Sequence, residues 1–503
     1  MNRSKRNIML ILLGLLAVCC LVTVVIRHTE EKKEEIKNSD KTVLTIDPDT
    51  VTKLSWSYDE TSLSFSKDET WKYDEDEAFP VDEDKMTSLL ELFKELGAAF
   101  EITDVEDYEQ YGLTDPVCTI NITAADQDVE IKLGAYSTMD EERYISIGDD
   151  EVYLISHDLM DDFEIELKDM LKDDEVPYIT EAKSIAAAGS LIDPIDITYD
   201  DSEGKSVCAE DVYYTEDNPL STSRVSSYLT SVSDLTLQDY VSYNVTDEEL
   251  KEFGLDDPEL TLDITYEEEE DDEEGDEKSD SGEAAMVEKS FSLSLGRNRD
   301  ELKEYEDYIS KHSETEEETT GTEESTEEEI PQVTAYARVG ESQIIYQITE
   351  DEYNALMAMT YDDLRHKNIM TASEDDITGI DVTIDGTEYK FTSEPGEKSD
   401  DEEEADRVWH YDSDEEISTS SVLAAITGLN ADSFTDEEAG GEEEVSLKIY
   451  IDNETFPEID MTLYRYDGTD CIATLNGTTV AFVTRSQAVD LIEAVNAIVL
   501  NKN

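Results

Sequence analysis

Cysteine, histidine and proline are scarce in this 503-residue chain: it has five Cys, five His and ten Pro, and 37 Lys+Arg stand against 130 Asp+Glu. Each shortage excludes something. Cys19 and Cys20 sit in an apolar run, so Cys118, Cys208 and Cys471 alone are left for the body, too few for a disulfide framework. The histidines, at 28, 157, 312, 366 and 410, form no HExxH and no His–Cys cluster along the sequence, which argues against a zinc site. His157 and His366 read as structural residues near the ends of two repeats. A formal charge of -93 excludes nucleic acid as a partner, because the phosphate backbone carries the same sign.

Motifs for chemistry are missing too. Gly204-Lys205-Ser206 has the end of a P-loop, but Tyr199 stands where its first glycine is required, so the segment reads as a hairpin tip. No GxGxxG and no GxSxG occurs. An EF-hand register starting at Glu270 fails because Ser281 occupies the place of the bidentate Glu. Carboxylates are so frequent that counting them assigns no glycosidase-like pair. The sequence therefore assigns no catalytic residue, no metal ligand and no cofactor.

What is present begins with one long uncharged run, Ile8 to Ile26, long enough to span a bilayer as a helix. A cleaved signal peptide would have a shorter apolar region and a small-x-small site, yet here apolar residues run straight into Arg27. Acylation at Cys19 or Cys20 fits less well, since Val18 stands where a small residue is expected. Arg3, Lys5 and Arg6 flank one side of the run and Arg27, Lys32, Lys33 and Lys37 the other, so positive charge does not set the orientation. A short head, one span and a long body is the layout of a signal anchor. The reading is a single-pass cell-membrane protein with its N-terminus inside: residues 1–26 are head and anchor, 27–41 a charged linker, and 27–503 lie outside the cytoplasm.

The body repeats itself. YGLTDPVCTINIT at 111–123 returns as FGLDDPELTLDIT at 253–265, and PLSTSRV at 219–225 returns as EISTSSV at 416–422. Met86, Leu89, Leu90, Phe93 and Leu96 share their spacing with Val225, Tyr228, Leu229, Val232 and Leu235, and Val422, Ala425, Ile426 and Leu429 repeat the first four places. Each set is the apolar stripe of an amphipathic helix, with Asp82, Ser221 and Ser418 placed as N-caps. Around the helices the period drops to two, as in Leu260, Leu262 and Ile264, which predicts sheets with one wet face. Turn pairs such as Asp385-Gly386 and Asn476-Gly477 predict antiparallel hairpins. The expected class is α+β: an N-terminal transmembrane helix, then three tandem antiparallel-sheet-plus-helix modules at 42–180, 181–372 and 373–503.

The turn motif Tyr111, Gly112, Leu113, Asp115, Pro116 and its echo Phe253, Gly254, Leu255, Asp257, Pro258 reads as structural. The glycine ends a short helix in the left-handed conformation, the leucine folds back onto the core, and the proline starts a strand. A docking loop shown twice on one face is the functional alternative. The third copy has AGGEEEV at 439–445 instead. Acidic low-complexity stretches at about 267–289 and 300–330, and acidic loops at about 395–407 and 435–444, are too charged to fold and are expected to loop out, with weak Ca²⁺ binding as their functional alternative.

WKYDEDEAFPVDEDKMTSLLELFKELGA at 71–98, with EDYEQYGLTDP at 106–116 and EELKEFGLDDP at 248–258, resembles the bacterial domain of unknown function 4340. The resemblance covers most of the first two copies and, more faintly, the third. It implies a membrane-anchored envelope protein, in some members beside ABC-type transport systems, and it lends no catalytic residue. The reading that results is a non-catalytic, extracytoplasmic binding or scaffold protein with an envelope protein or ABC transporter as partner. A cation- or cell-wall-binding surface protein and a carboxylate-dependent envelope hydrolase are the alternatives.

Overall fold

The computed structural model of the chain describes residues 41–139, 141–269, 286–313, 330–396, 407–412 and 415–500. The expected membrane span, Ile8 to Ile26, lies outside them. Among the described residues no helix is long and apolar enough to cross a membrane. The described chain is mainly β, built of four antiparallel sheets, and this overturns the α+β class expected for it. The reason is one of proportion. Period-two stretches supply eight or nine strands to each of three large sheets, whereas the helices after the last strands of the first two, Met160–Phe163 and Glu350–Met357, are short, and the third ends on a longer one, Arg485–Leu500.

The three large sheets share one strand order. In the third, Arg407–Tyr411, Thr387–Pro395 and Ile377–Ile384 form a meander, and Glu443–Ile451 returns beside Ile377–Ile384. A second meander through Glu458–Arg465, Asp470–Leu475 and Thr478–Thr484 completes it. The helix Ser420–Thr427 lies in the crossover between the meanders. At the central pairing each sheet shifts register at the same place, between Val51 and Lys53, Ala182 and Ser184, and Ile377 and Gly379. A bulge of this kind bends the strand and fixes which face its side chains take.

The chain divides into two compact units, the first ending at Asp174 and adding Ser242–Asn244, the second made of Glu175–Val241 and Val245 onward. The first unit's core packs Trp56, Phe65, Phe93 and Phe163, all essentially unexposed. The second unit holds two large sheets, and a cluster of buried residues around Ile380, Leu447, Met461 and Leu491 fills the core of the later one.

Helix starts follow the stripes. Met86, Leu89 and Leu90 are the buried residues of Glu83–Glu91, and Val225, Tyr228, Leu229 and Val232 those of Thr222–Ser233. Asp82 caps the first, accepting from the amides of Asp84 and Lys85. Ser221 holds the N-cap position without a side-chain cap bond, and in the third copy the N-cap position of Ser420–Thr427 falls to Thr419 rather than Ser418, again without one.

The acidic segment expected to loop out from residue 300 contains a helix, Arg299–Ser313. Asn298 caps it through the amides of Asp300 and Glu301, acids occupy its first turn, and Lys311 and His312 occupy its last, so charge opposes the helix dipole at both ends. Strands Leu260–Glu269 and Met286–Arg297 likewise extend into the acidic stretch expected at 267–289.

Candidate functional site

The repeated turn is built as a helix stop. Gly112 and Gly254 have φ of 71° and 73°. Leu113 donates its amide to the Tyr108 carbonyl and Leu255 to that of Leu250, which closes each helix end, and both leucines are buried. Asp115 and Asp257 are exposed, while Pro116 and Pro258 stand half-buried just before the next strand. The turn leans on a neighbouring strand at a second glycine: a Cβ on Gly134 would lie 2.2 Å from the Tyr111 carbonyl oxygen, and one on Gly296 2.6 Å from that of Phe253. Gly134→Ala is therefore expected to destabilise the first unit by about 1–3 kcal/mol through overpacking. The shift of its urea midpoint reads this out.

Beside those strands lie charged pairs that sequence reasoning missed. Leu260 faces Leu295 across the second sheet, and next to them Arg297 donates Nε and Nη2 to Glu259 at 2.9 and 3.0 Å. Tyr353 Oη donates to the same carboxylate at 2.5 Å. In the third sheet Val445 faces Leu463, and Glu444 there takes bonds from Arg465 and, at 2.8 Å, from Arg485. The equivalent places in the first sheet, beside Cys118 and Leu133, hold Val117 and Ala135. Its charged pair is Arg143 with Asp158, at 2.5 and 2.8 Å. These clamps tie strand ends together. The Glu259 and Glu444 clamps share one sequence signal, a Glu just before one apolar residue of a facing pair and an Arg two places after the other.

Burial alone would raise the Glu444 carboxyl, but the bonds from Arg485 and Arg465 outweigh it and hold the group below the usual value. A carboxylate with a depressed folded pKa contributes its full stability above the unfolded value of about 4.3 and loses it as pH falls below. Protonating the other acids relieves self-repulsion and acts with the opposite sign. The expected signal is thus a difference: the stability gap between wild type and Glu444→Gln is constant above about pH 5 and narrows below about pH 4. Denaturant titrations of the full chain at several pH values measure it.

One cluster carries the residue types of a reactive or metal-binding site. The loop between the paired strands Ile195–Tyr199 and Tyr213–Thr215 holds Cys208 and Asp211, and His366 follows the helix Tyr361–Leu364. The thiol, a carboxylate oxygen and a ring nitrogen of these three lie within 4.8 Å of one another. His366 Nε2 is 2.7 Å from Asp211 Oδ1, and Ser206 Oγ donates to Oδ2 at 2.6 Å. The Asp211 side chain is only 1% exposed. A Cys–His–Asp set suggests a nucleophile, but burial and the charges of Asp211 and Glu210 push the Cys208 thiol up, the opposite of activation. Without a bound cation to deprotonate it, the thiol is not held as a nucleophile. Sequence spacing shows no trace of it, since His366 is 155 residues from Asp211.

The second unit also carries a shallow groove of about 460 Å³ lined by Leu191, Pro194 and Tyr361 with the acids Asp193, Glu216 and Asp362. No Lys or Arg is among its lining residues, so its chemistry suits a cationic group.

Taken together these features define a mainly β chain with sheet faces, structural charge clamps and, among the described residues, one half-buried Cys–Asp–His cluster. Residues 71–190 match the family described as a domain of unknown function (DUF4340), and this segment belongs to that family. No curated protein and no solved structure matches the chain.

Proposed function

We propose that this chain is a non-catalytic binding or scaffold protein, held at the cell membrane by the apolar segment 8–26, with its sheets outside the cytoplasm, and accessory to an ABC-type transport system. The observation that supports it most is the shape of the sheets. Each buries one face and spreads small polar residues over the other; in the second sheet Thr261, Asp263, Ser292 and Ser294 alternate with Leu260, Leu262, Leu293 and Leu295. Such a surface is suited to contact over an area and not to enclosing a small substrate. The charge of -93 favours a basic partner and raises its association rate at low salt.

The test is recovery of the intact chain from solubilised membranes. The expected result is a stoichiometric membrane component that leaves as salt is raised; a chain recovered alone at low salt contradicts the reading. Orientation is tested separately by a C-terminal reporter active only outside the cytoplasm, which is expected to be active.

The acidic groove favours a second reading, a cation-binding surface protein. Calorimetric titration with Ca²⁺ distinguishes it, because that reading requires heat of binding that Asp193→Asn and Glu216→Gln reduce.

A further inference from the structure

We propose that Cys208, Asp211 and His366 form a binding site for a zinc-class divalent transition-metal ion, with one position left open to solvent. This goes beyond the scaffold reading and stands without it.

The donor set points to the ion. A thiolate, an imidazole and a carboxylate form the borderline-soft combination that zinc and its neighbours take, while Ca²⁺ and Mg²⁺ require oxygen alone. Three protein ligands plus an open place is the arrangement of exchangeable or reactive zinc, and the His366 side chain, 23% exposed, leaves a way in.

The distances fit with a small adjustment. At metal–ligand distances of about 2.0–2.2 Å for nitrogen and oxygen, tetrahedral donors sit roughly 3.3 Å apart. His366 Nε2 and Asp211 Oδ1, now sharing a hydrogen bond at 2.7 Å, need to part by about 0.6 Å, well within side-chain freedom. Cys208 Sγ is already within 4.8 Å of both.

The surroundings are built as ligand supports. Ser206 Oγ fixes the outer carboxylate oxygen and also accepts from the Cys208 amide at 3.2 Å. Asp211 donates its own amide to the Cys208 carbonyl, and Tyr214 Oη donates to the Asp211 carbonyl at 2.9 Å.

His366 is held from the other side. The Leu364 carbonyl accepts from the Ser221 amide, and Arg365 lays its guanidinium 3.4 Å from the Phe434 ring centroid and donates to the Val480 carbonyl. Bound metal would therefore pin the hairpin loop of the second sheet to the segment that leads into the third, and stabilise the second unit by mass action.

The probe is Co²⁺, titrated into the full-length chain in excess Mg²⁺, which occupies the acidic surface. The expected result is one equivalent of Co²⁺ with a thiolate-to-cobalt absorption band, removed by Zn²⁺ and missing in Cys208→Ser. Ser206→Ala, which keeps all three ligands, is expected to weaken Co²⁺ by about 10-fold or more. A wild-type chain with no such band, or a band that persists in Cys208→Ser, overturns the proposal and leaves the cluster a hydrogen-bonded strut. The wild-type arm decides this even if a variant fails to fold.

Discussion

Truncating Phe163 to alanine is expected to destabilise the first unit by about 3–5 kcal/mol, the range for removing a buried aromatic ring. Phe163 is unexposed and lies at the end of the four-residue helix Met160–Phe163, too short to be stable by itself. Its ring meets Trp56 edge-on at 5.4 Å and Phe93 at 5.8 Å, and Trp56 stacks on Phe65 at 5.5 Å. The ring thus joins the closing segment, the helix-proximal residue Phe93 and two strands of the meander. Removing it leaves a void among rigid rings that cannot collapse to fill it. Phe100, 63% exposed in the same unit, is the control, and Phe100→Ala should change stability by less than about 0.5 kcal/mol. Hydrogen exchange along Val51–Tyr58 reads both, and a loss below about 1 kcal/mol for Phe163→Ala would show that the ring does not anchor the closing helix.

Glu259→Ala is expected to cost the second unit about 3 kcal/mol, near the lower end for breaking a buried ion pair because the Arg297 side chain keeps 24% of its exposure. The loss comes from what remains. Arg297 keeps its charge beside the Tyr353 ring, and Tyr353, whose hydroxyl is pushed up by burial and by its bond to Glu259, loses its acceptor. Replacing both partners by apolar residues, Glu259→Leu with Arg297→Met, should recover much of the loss, since no uncompensated charge is left. A double-mutant cycle on calorimetric unfolding measures the coupling. Equal and additive losses from the two single changes would mean that the clamp is a surface pair of little consequence.

Much of the fold could be read before any coordinates, because burial leaves a period. Met86, Leu89 and Leu90, and Val225, Tyr228 and Leu229, are the helix faces their spacing requires, and Leu260, Leu262 and Ile264 are the buried side of a strand. The class was misjudged for a physical reason: spacing locates a helix but says little about its weight against the sheets, and the closing helix of the first sheet has one turn. The helix Arg299–Ser313 was missed because its stripe of half-buried Leu302, Tyr305 and Tyr308 is thin and set among charged residues, with its start fixed by the Asn298 cap. The Cys208–Asp211–His366 cluster was illegible, since a loop and a distant segment meet only through the packing of the second unit. The charge clamps fall between these cases: Glu259 and Glu444 occupy one register position, visible once the strands are paired.

The central claim is that the polar sheet faces are the surfaces of contact. Photo-crosslinking residues placed in living cells at Asp263 and Thr265, on the polar side of the second sheet, test it most directly, with Leu262 and Ile264 on the buried side as controls. The account predicts crosslinks to one membrane protein from the first pair and none from the second. Crosslinks from neither face, in a chain present at its normal level, would contradict it.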